Sequence, residues 1–335
     1  MPQNEVILNK VQVGFEAVPG TAVAATRKMY ARMDPAGGVN VPLVWFDDAT
    51  GTYIGRRRAT KGRTTVNWSM TDLATFEDLH WWAHMMIEGT PQESGGTDPS
   101  VYIHEFNPDL ASDTLKSATV EWGDPGNAYE ISQTYMQSWT LRGDSDNDNE
   151  PGWMLEADLI GRTFDPTTFT PAIPDRNTEV ITARGTKLYI DDDAASVGTT
   201  QVTGKLISWS ITGNINRHTK AFAEDEFYVA QGLTGRQGWM IDAQLTFEFD
   251  DDDEFALYRS TTPVQRVLRL HRDGSEIAVG ENKALEFDLF GYWASTSTGD
   301  REGNKTMTFS LNAGYDETEA VDGRMTITND VAPIV

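Results

Sequence analysis

His80 and His84 stand four residues apart, a spacing that puts both rings on one side of a helix, as in half of a metal site. No third ligand is spaced to complete it and no glutamate lies between them, so helix packing is the better reading. Asp144-Ser145-Asp146-Asn147-Asp148-Asn149-Glu150 opens like a calcium loop. Asn149 then occupies the place of the obligatory glycine and Leu155 that of the bidentate glutamate, so a solvated turn is expected instead. Asp191-Asp192-Asp193 reads as a turn, and Asp250-Asp251-Asp252-Asp253-Glu254 as the acidic cap of a helix. Acidic pairs are so common that no particular two define a glycosidase dyad. With 5 His and no Cys, and without HExxH, GxSxG, phosphate-loop or dinucleotide-glycine patterns, the residues point to no enzyme, metal centre or cofactor.

One cluster has a different chemistry. Gly55-Arg56-Arg57-Arg58-Ala59-Thr60-Lys61-Gly62-Arg63 places five cations within eight positions of a strongly acidic chain. Either it is a solvated basic loop, or Arg56, Arg57, Arg58, Lys61 and Arg63 dock on an acidic surface of another copy. Complementary patches on one molecule favour head-to-tail association, which closes as a ring or runs on as a filament.

The elements that must carry these residues are mostly strands. Residues 239–250 alternate strictly: Trp239, Ile241, Ala243, Leu245, Phe247 and Phe249 on one face, Met240, Asp242, Gln244, Thr246, Glu248 and Asp250 on the other. Residues 153–160 repeat the pattern with Glu156 and Asp158 on the polar face. So do Leu285, Phe287 and Leu289 against Glu286 and Asp288, and Met307, Phe309 and Leu311 against Thr306, Thr308 and Ser310. Helical spacing is found over 72–88, with Thr71 or Asp72 as cap, and over 252–260.

Two internal echoes appear. Ser138-Trp139-Thr140-Leu141 with a following Gly152-Trp153-Met154 resembles Ser208-Trp209-Ser210-Ile211 with Gly238-Trp239-Met240. The succession of strand, acid-capped helix and strand over 66–106 also resembles that over 239–270. The echoes imply different offsets, and together they predict a mainly β chain of two tandem, diverged modules, 1–165 and 179–335, joined by a proline-rich linker at 166–178.

The 335 residues carry 51 acidic and 27 basic side chains, a net charge of -24, with 39% hydrophobic residues and 10 Trp. That supports real cores and argues against ordinary nucleic-acid binding, where cations must neutralise phosphates. No apolar run reaches the roughly 18 residues of a membrane helix. The opening Met1-Pro2-Gln3-Asn4-Glu5 lacks the basic-then-apolar pattern of a secretion signal.

The opening Val13-Gly14-Phe15-Glu16-Ala17-Val18-Pro19-Gly20-Thr21-Ala22-Val23-Ala24-Ala25-Thr26 resembles that of the tail tube (major tail) proteins of tailed bacteriophages. The hairpin over 135–162, ending Leu159-Ile160-Gly161-Arg162, is similar to a strand pair of that family, as is the series over 208–271. The basic cluster and the long stretch 36–60 have no match there.

The resemblance implies β-barrel or β-sandwich modules, each with a small flanking helix, that form rings stacked into a hollow tube in the virion. Its expected partners are further copies of itself, in a trimeric pseudo-hexameric ring or a hexameric one, and the tape measure, tail terminator and distal tail proteins. Double-stranded DNA would pass through without binding, with no cofactor and no membrane involved. In that setting Glu156, Asp158, Asp242, Gln244, Glu248, Glu286 and Asp288 are the expected channel lining. The alternatives are a secreted or surface β-sandwich binding module with Trp81, Trp82 or Trp293 as platforms, a tail terminator or capsid decoration protein, and acidity adapted to high salt.

Overall fold

The structure is a computed structural model that describes residues 8–87, 91–108, 116–147, 149–223, 230–233 and 240–334. Antiparallel strands dominate, with two α-helices among the described residues, so the chain is mainly β. The alternating sequences form strands for the expected reason: in residues 240–248, Ile241, Ala243, Leu245 and Phe247 are buried while Met240, Asp242 and Gln244 face out. Gly238 and Trp239, expected at the start of that strand, lie outside the described residues, as do Glu88 and Asp148.

The first half contains β1 (Lys10–Phe15), β2 (Arg27–Met29), β3 (Arg32–Met33), β4 (Val39–Asn40), β5 (Leu43–Asp47), β6 (Arg56–Lys61) and β7 (Thr65–Leu73). Helix α1 (Leu79–Met86) follows, then β8 (Gln92–Gly95), β9 (Tyr102–Phe106), β10 (Ala118–Asp124), β11 (Asn127–Asp144), β12 (Met154–Gly161) and β13 (Asp165–Thr167). The second half contains β14 (Lys187–Asp191), β15 (Gln201–Val202), β16 (Leu206–Asn214), β17 (Arg217–Lys220), β18 (Ala230–Leu233) and β19 (Met240–Glu248). Helix α2 (Asp253–Tyr258) precedes β20 (Arg266–Ala278), β21 (Glu281–Arg301), β22 (Asn304–Ala313) and β23 (Gly323–Asn329).

The same pairings occur twice. β1 lies between β2 and β10, β10 pairs with β11, β11 with β12, and β12 with β7, whose other side takes β3 and β4. Likewise β14 lies between β15 and β20, β20 pairs with β21, β21 with β22, and β22 with β19, whose other side takes β16. β13 and β23 return to the first halves of β11 and β21. By this pattern the counterpart of β20 is β10, not the 101–106 strand that the sequence echo suggested. The two sets join where β11 pairs with β16 and β9 with β23.

The result is one sheet in the order β3/β4–β7–β12–β11–β16–β19–β22–β21. Its inner face carries Trp68, Leu155, Trp139, Trp209, Leu245 and Phe309 into a core shared by both halves. Burying each such side chain contributes about 1.5–3 kcal/mol. On the far side of that core lie α1, whose Met86 carbonyl accepts the Trp139 indole N–H at 2.8 Å, and strands including β20, β23 and the first half of β21.

One local expectation is corrected. Residues 72–78 do not begin the first helix: β7 runs through Leu73 because Leu73, Asp72 and Thr71 pair with Met154, Leu155 and Glu156. The chain turns only at Thr75, whose hydroxyl accepts the Asp78 N–H at 3.1 Å. The 166–178 stretch is laid along the first half. Asp165–Thr167 pair with β11, Thr170 N–H donates to Glu121 at 2.8 Å, and Arg176 pairs with Asp78 at 2.7 Å.

Candidate functional site

The outward face of the eight-position sheet forms rows of small polar residues in cross-strand register. One row reads Thr71, Glu156, Thr140, Thr212, Asp242, Asn312 and Tyr292. Another reads Arg142, Ser210, Gln244, Ser310 and Ser295, and a third Asp144, Ser208, Thr246, Thr308 and Ser297. Hydroxyls bridge the strands: Thr140 meets Thr212 at 3.1 Å and Thr246 meets Thr308 at 2.9 Å. Such pairs suit a wet face, because each hydroxyl can exchange its partner for water. Cations reach this face at Arg32, Arg142 and Arg301. Arg142 is paired with Glu150 and Glu156 at 2.8 and 2.9 Å, and Arg301 with Asp146 at 2.9 Å.

Five of the seven expected lining residues share this face. Asp242 and Gln244 are exposed, and partial burial lifts the Asp242 carboxyl above its ordinary value. Asp158 accepts the Ser69 and Ser138 hydroxyls at 2.7 and 3.1 Å. Glu156 is held by Arg142, and Glu248 accepts the Asn304 amide at 2.7 Å.

Glu286 and Asp288 are elsewhere, which corrects their assignment. They lie on the first half of β21, flanked by β20 and β23, opposite His271 and Arg269 on one side and Thr326 and Arg324 on the other. Asp288 is 1% exposed and accepts from Arg269 Nε at 2.6 Å and Arg324 Nη2 at 2.8 Å. Glu286 accepts from His271 at 3.0 Å; that bond holds the imidazole above and the carboxyl below their ordinary values.

The basic cluster forms β6, which pairs with β5 into a separate two-stranded hairpin exposed on both faces. It carries Arg56, Arg57, Arg58 and Lys61 together with exposed Trp45, Phe46, Tyr53 and Ile54. Arg58 Nε donates to Asp48 at 3.0 Å and Arg56 lies 3.9 Å from Asp47, whereas no described carboxylate pairs with Arg57 or Lys61. Arg63 stands apart from this set: it lies beyond the strand, half-buried, donating to the Phe222 carbonyl.

A cavity of about 370 Å³ beside α2 has the opposite character, with Phe247, Phe249 and Phe255 among Asp192, Asp250, Asp251, Asp253 and Glu254. Lys205 bridges Asp250 and Asp251, and Arg266 pairs with Glu254 at 2.6 Å.

Three features were not foreseen from the residues alone. Glu16, 7% exposed, accepts from Gly20 N–H, the Ser117 and Thr119 hydroxyls and Gln133 N–H at 2.7 to 2.9 Å, and so organises the Val13–Thr26 opening. Asp191 does the same for Gly198, Thr199 and Thr200. At the β11–β16 junction, Trp139 lies opposite Gly213 and Trp209 opposite Gly143. A Cβ on either glycine would sit 2.2 Å from the facing indole. The signal was present as Ser-Trp followed by Gly four residues on, at both 139–143 and 209–213.

His80 and His84 are buried. His80 stacks on His104 at 4.5 Å, and burial keeps His84 neutral by lowering it to about 3. Among the described residues no group of three His, Asp or Glu is placed to hold a metal ion, and no helix is long and apolar enough to cross a membrane. Trp81, Trp82 and Trp293, the platforms a binding module would need, are all buried. No protein-family model matches this chain, and no curated protein matches it.

Proposed function

We propose that this chain is a structural virion protein, the subunit of a phage tail tube, and not an enzyme. Two modules, 1–165 and 179–335, contribute about four strands each to a ring of three chains, and rings stack into a conduit for DNA ejection. About 24 strands spaced ~4.8 Å apart give a circumference near ~115 Å, a bore that clears duplex DNA once side chains are subtracted. A ring of six, with one module lining the bore, is the alternative. The observation that carries this reading is the broad outward sheet face of hydroxyls, amides and carboxylates, whose central rows hold no unpaired cation for a phosphate to bind.

The β5–β6 hairpin is the proposed contact between rings, its Arg57 and Lys61 meeting an acid-rich surface of the next ring such as the groove beside α2. Tape measure, terminator and distal tail proteins are the proposed neighbours at the tube ends. Negative-stain microscopy of the purified protein tests the whole: uniform hollow rings or tubes are expected. A protein that stays monomeric at high concentration, or a bore faced by lysine and arginine, refutes it.

A further inference from the structure

The junction between the two halves is a template for the contact between copies. Inside the chain, β11 meets β16 antiparallel from Ser138 opposite Asn214 to Asp144 opposite Ser208. The repeated pairings make β21 the counterpart of β11. After a bulge in each, Trp139 lies opposite Ala157 and Thr296 opposite Phe309, so residues 295–301 match 138–144. They make residues 32–40 the counterpart of β16. Met33 and Val39 meet Met70 and Val66 on β7 as Trp209 and Gly213 meet Leu245 and Ile241 on β19.

Both counterparts are edges. Among the described residues, the second half of β21 pairs with β22 on one side and with no strand on the other, and β3 and β4 pair only with β7. Sheet edges are normally guarded by charge, proline or brevity. Residues 294–299 of β21, Ala-Ser-Thr-Ser-Thr-Gly, have neither charge nor proline, and Ser295, Ser297, Thr298 and Gly299 are exposed.

We infer that residues 295–301 of one copy pair antiparallel with residues 32–40 of the next, Thr296 opposite Val39 and Asp300 opposite Met33, repeating the β11–β16 junction around the ring. The inference rests on the ring reading and supplies the surfaces by which it closes. Arg301 would face Arg32, but its charge is already met by Asp146 at 2.9 Å. The 3₁₀ turn Ala36–Gly38 absorbs the extra length of the 33–39 stretch, six steps against four in β16.

The chain has no cysteine, so introduced pairs report without background. Thr296→Cys with Val39→Cys, and separately Asp300→Cys with Met33→Cys, would put Cβ atoms about 4.5–5.5 Å apart, close to disulfide reach. Oxidised after assembly, both variants should give a disulfide ladder ending at three chains on a non-reducing gel. The mismatched Thr296→Cys with Met33→Cys should stay at one chain. Hollow particles in which neither matched pair cross-links better than the mismatched one overturn the edge pairing and leave the tube reading standing. A wild-type protein that never assembles overturns both.

Discussion

Replacing Asp288 by Asn removes a negative charge from between two guanidinium groups while keeping the side chain's shape. The carboxylate is 1% exposed and accepts from Arg269 at 2.6 and 2.8 Å and from Arg324 at 2.8 and 3.2 Å. Breaking one partner out of a buried ion pair destabilises by about 3–5 kcal/mol, because the remaining charges are left uncompensated. Arg269 keeps Glu286 at 3.1 Å and Arg324 keeps Glu319 at 3.0 Å, so the lower end applies, about 3 kcal/mol. At roughly 2 °C per kcal/mol for a chain of this size, the midpoint should fall by about 6 °C. Urea unfolding followed by tryptophan fluorescence measures the loss directly. Asp158→Asn is the control, since that carboxylate is exposed and bonded only to hydroxyls, and it should stay within about 0.5 kcal/mol. If Asp288→Asn is no more destabilising than Asp158→Asn, the buried Arg–Asp–Arg ladder is wrong and Asp288 belongs on a wet face after all.

Burial raises the Asp72 carboxyl to about 7, the hydrogen bond from Trp82 opposing the shift, so the folded chain binds a proton that the unfolded chain releases near 3.8. Stability should therefore fall as pH rises from about 4 to about 7, and Asp72→Asn should stabilise by up to about 4 kcal/mol at pH 8 while changing little at pH 4. Gly213→Ala drives a methyl to 2.2 Å from the Trp139 ring and should cost about 1–3 kcal/mol with a red-shifted tryptophan emission. An unchanged unfolding midpoint would mean that the indole has room the structure denies it.

Period two was legible where one face of a strand is wet. It misplaced Asp288 because alternation records only that two faces differ. On the first half of β21 the polar face is flanked by Arg269 of β20 and Arg324 of β23, and neither partner is near Asp288 in the chain. The early start given to the first helix has a similar cause. Leu73, Phe76, Leu79 and Trp82 fall at helical steps, but Leu73 belongs to β7, and only pairing with β12 reveals that. The two conflicting sequence echoes are reconciled by topology. The Ser-Trp echo joins β11 and β16, neighbours facing each other across the junction, whereas the strand–helix echo joins β7 and β19, equivalent strands of the repeated pattern. Glu16 could not be assigned from its motif, since its donors Ser117, Thr119 and Gln133 lie a hundred residues or more away.

The placement of the acids changes the physics of the proposed bore. Of seven expected lining carboxylates and amides, Glu286 and Asp288 are turned to other partners and Glu156 is held by Arg142, leaving Asp158, Asp242 and Glu248 as acids among rows of hydroxyls. A face so sparsely charged repels phosphates weakly across ordinary salt, where the screening length is about 8 Å. What its central rows do firmly is offer them no unpaired cation, Arg32 lying at the β3 edge beyond Thr71. The two mechanisms separate at Asp242, which is exposed in the middle of its row. If repulsion keeps DNA moving, Asp242→Asn should slow genome delivery in a particle-based ejection assay. If the want of free cations does so, Asp242→Asn should deliver normally and Asp242→Lys alone should slow or arrest it, with relief at high salt as each phosphate contact is screened. Normal delivery by both variants would remove this face from the path of the DNA.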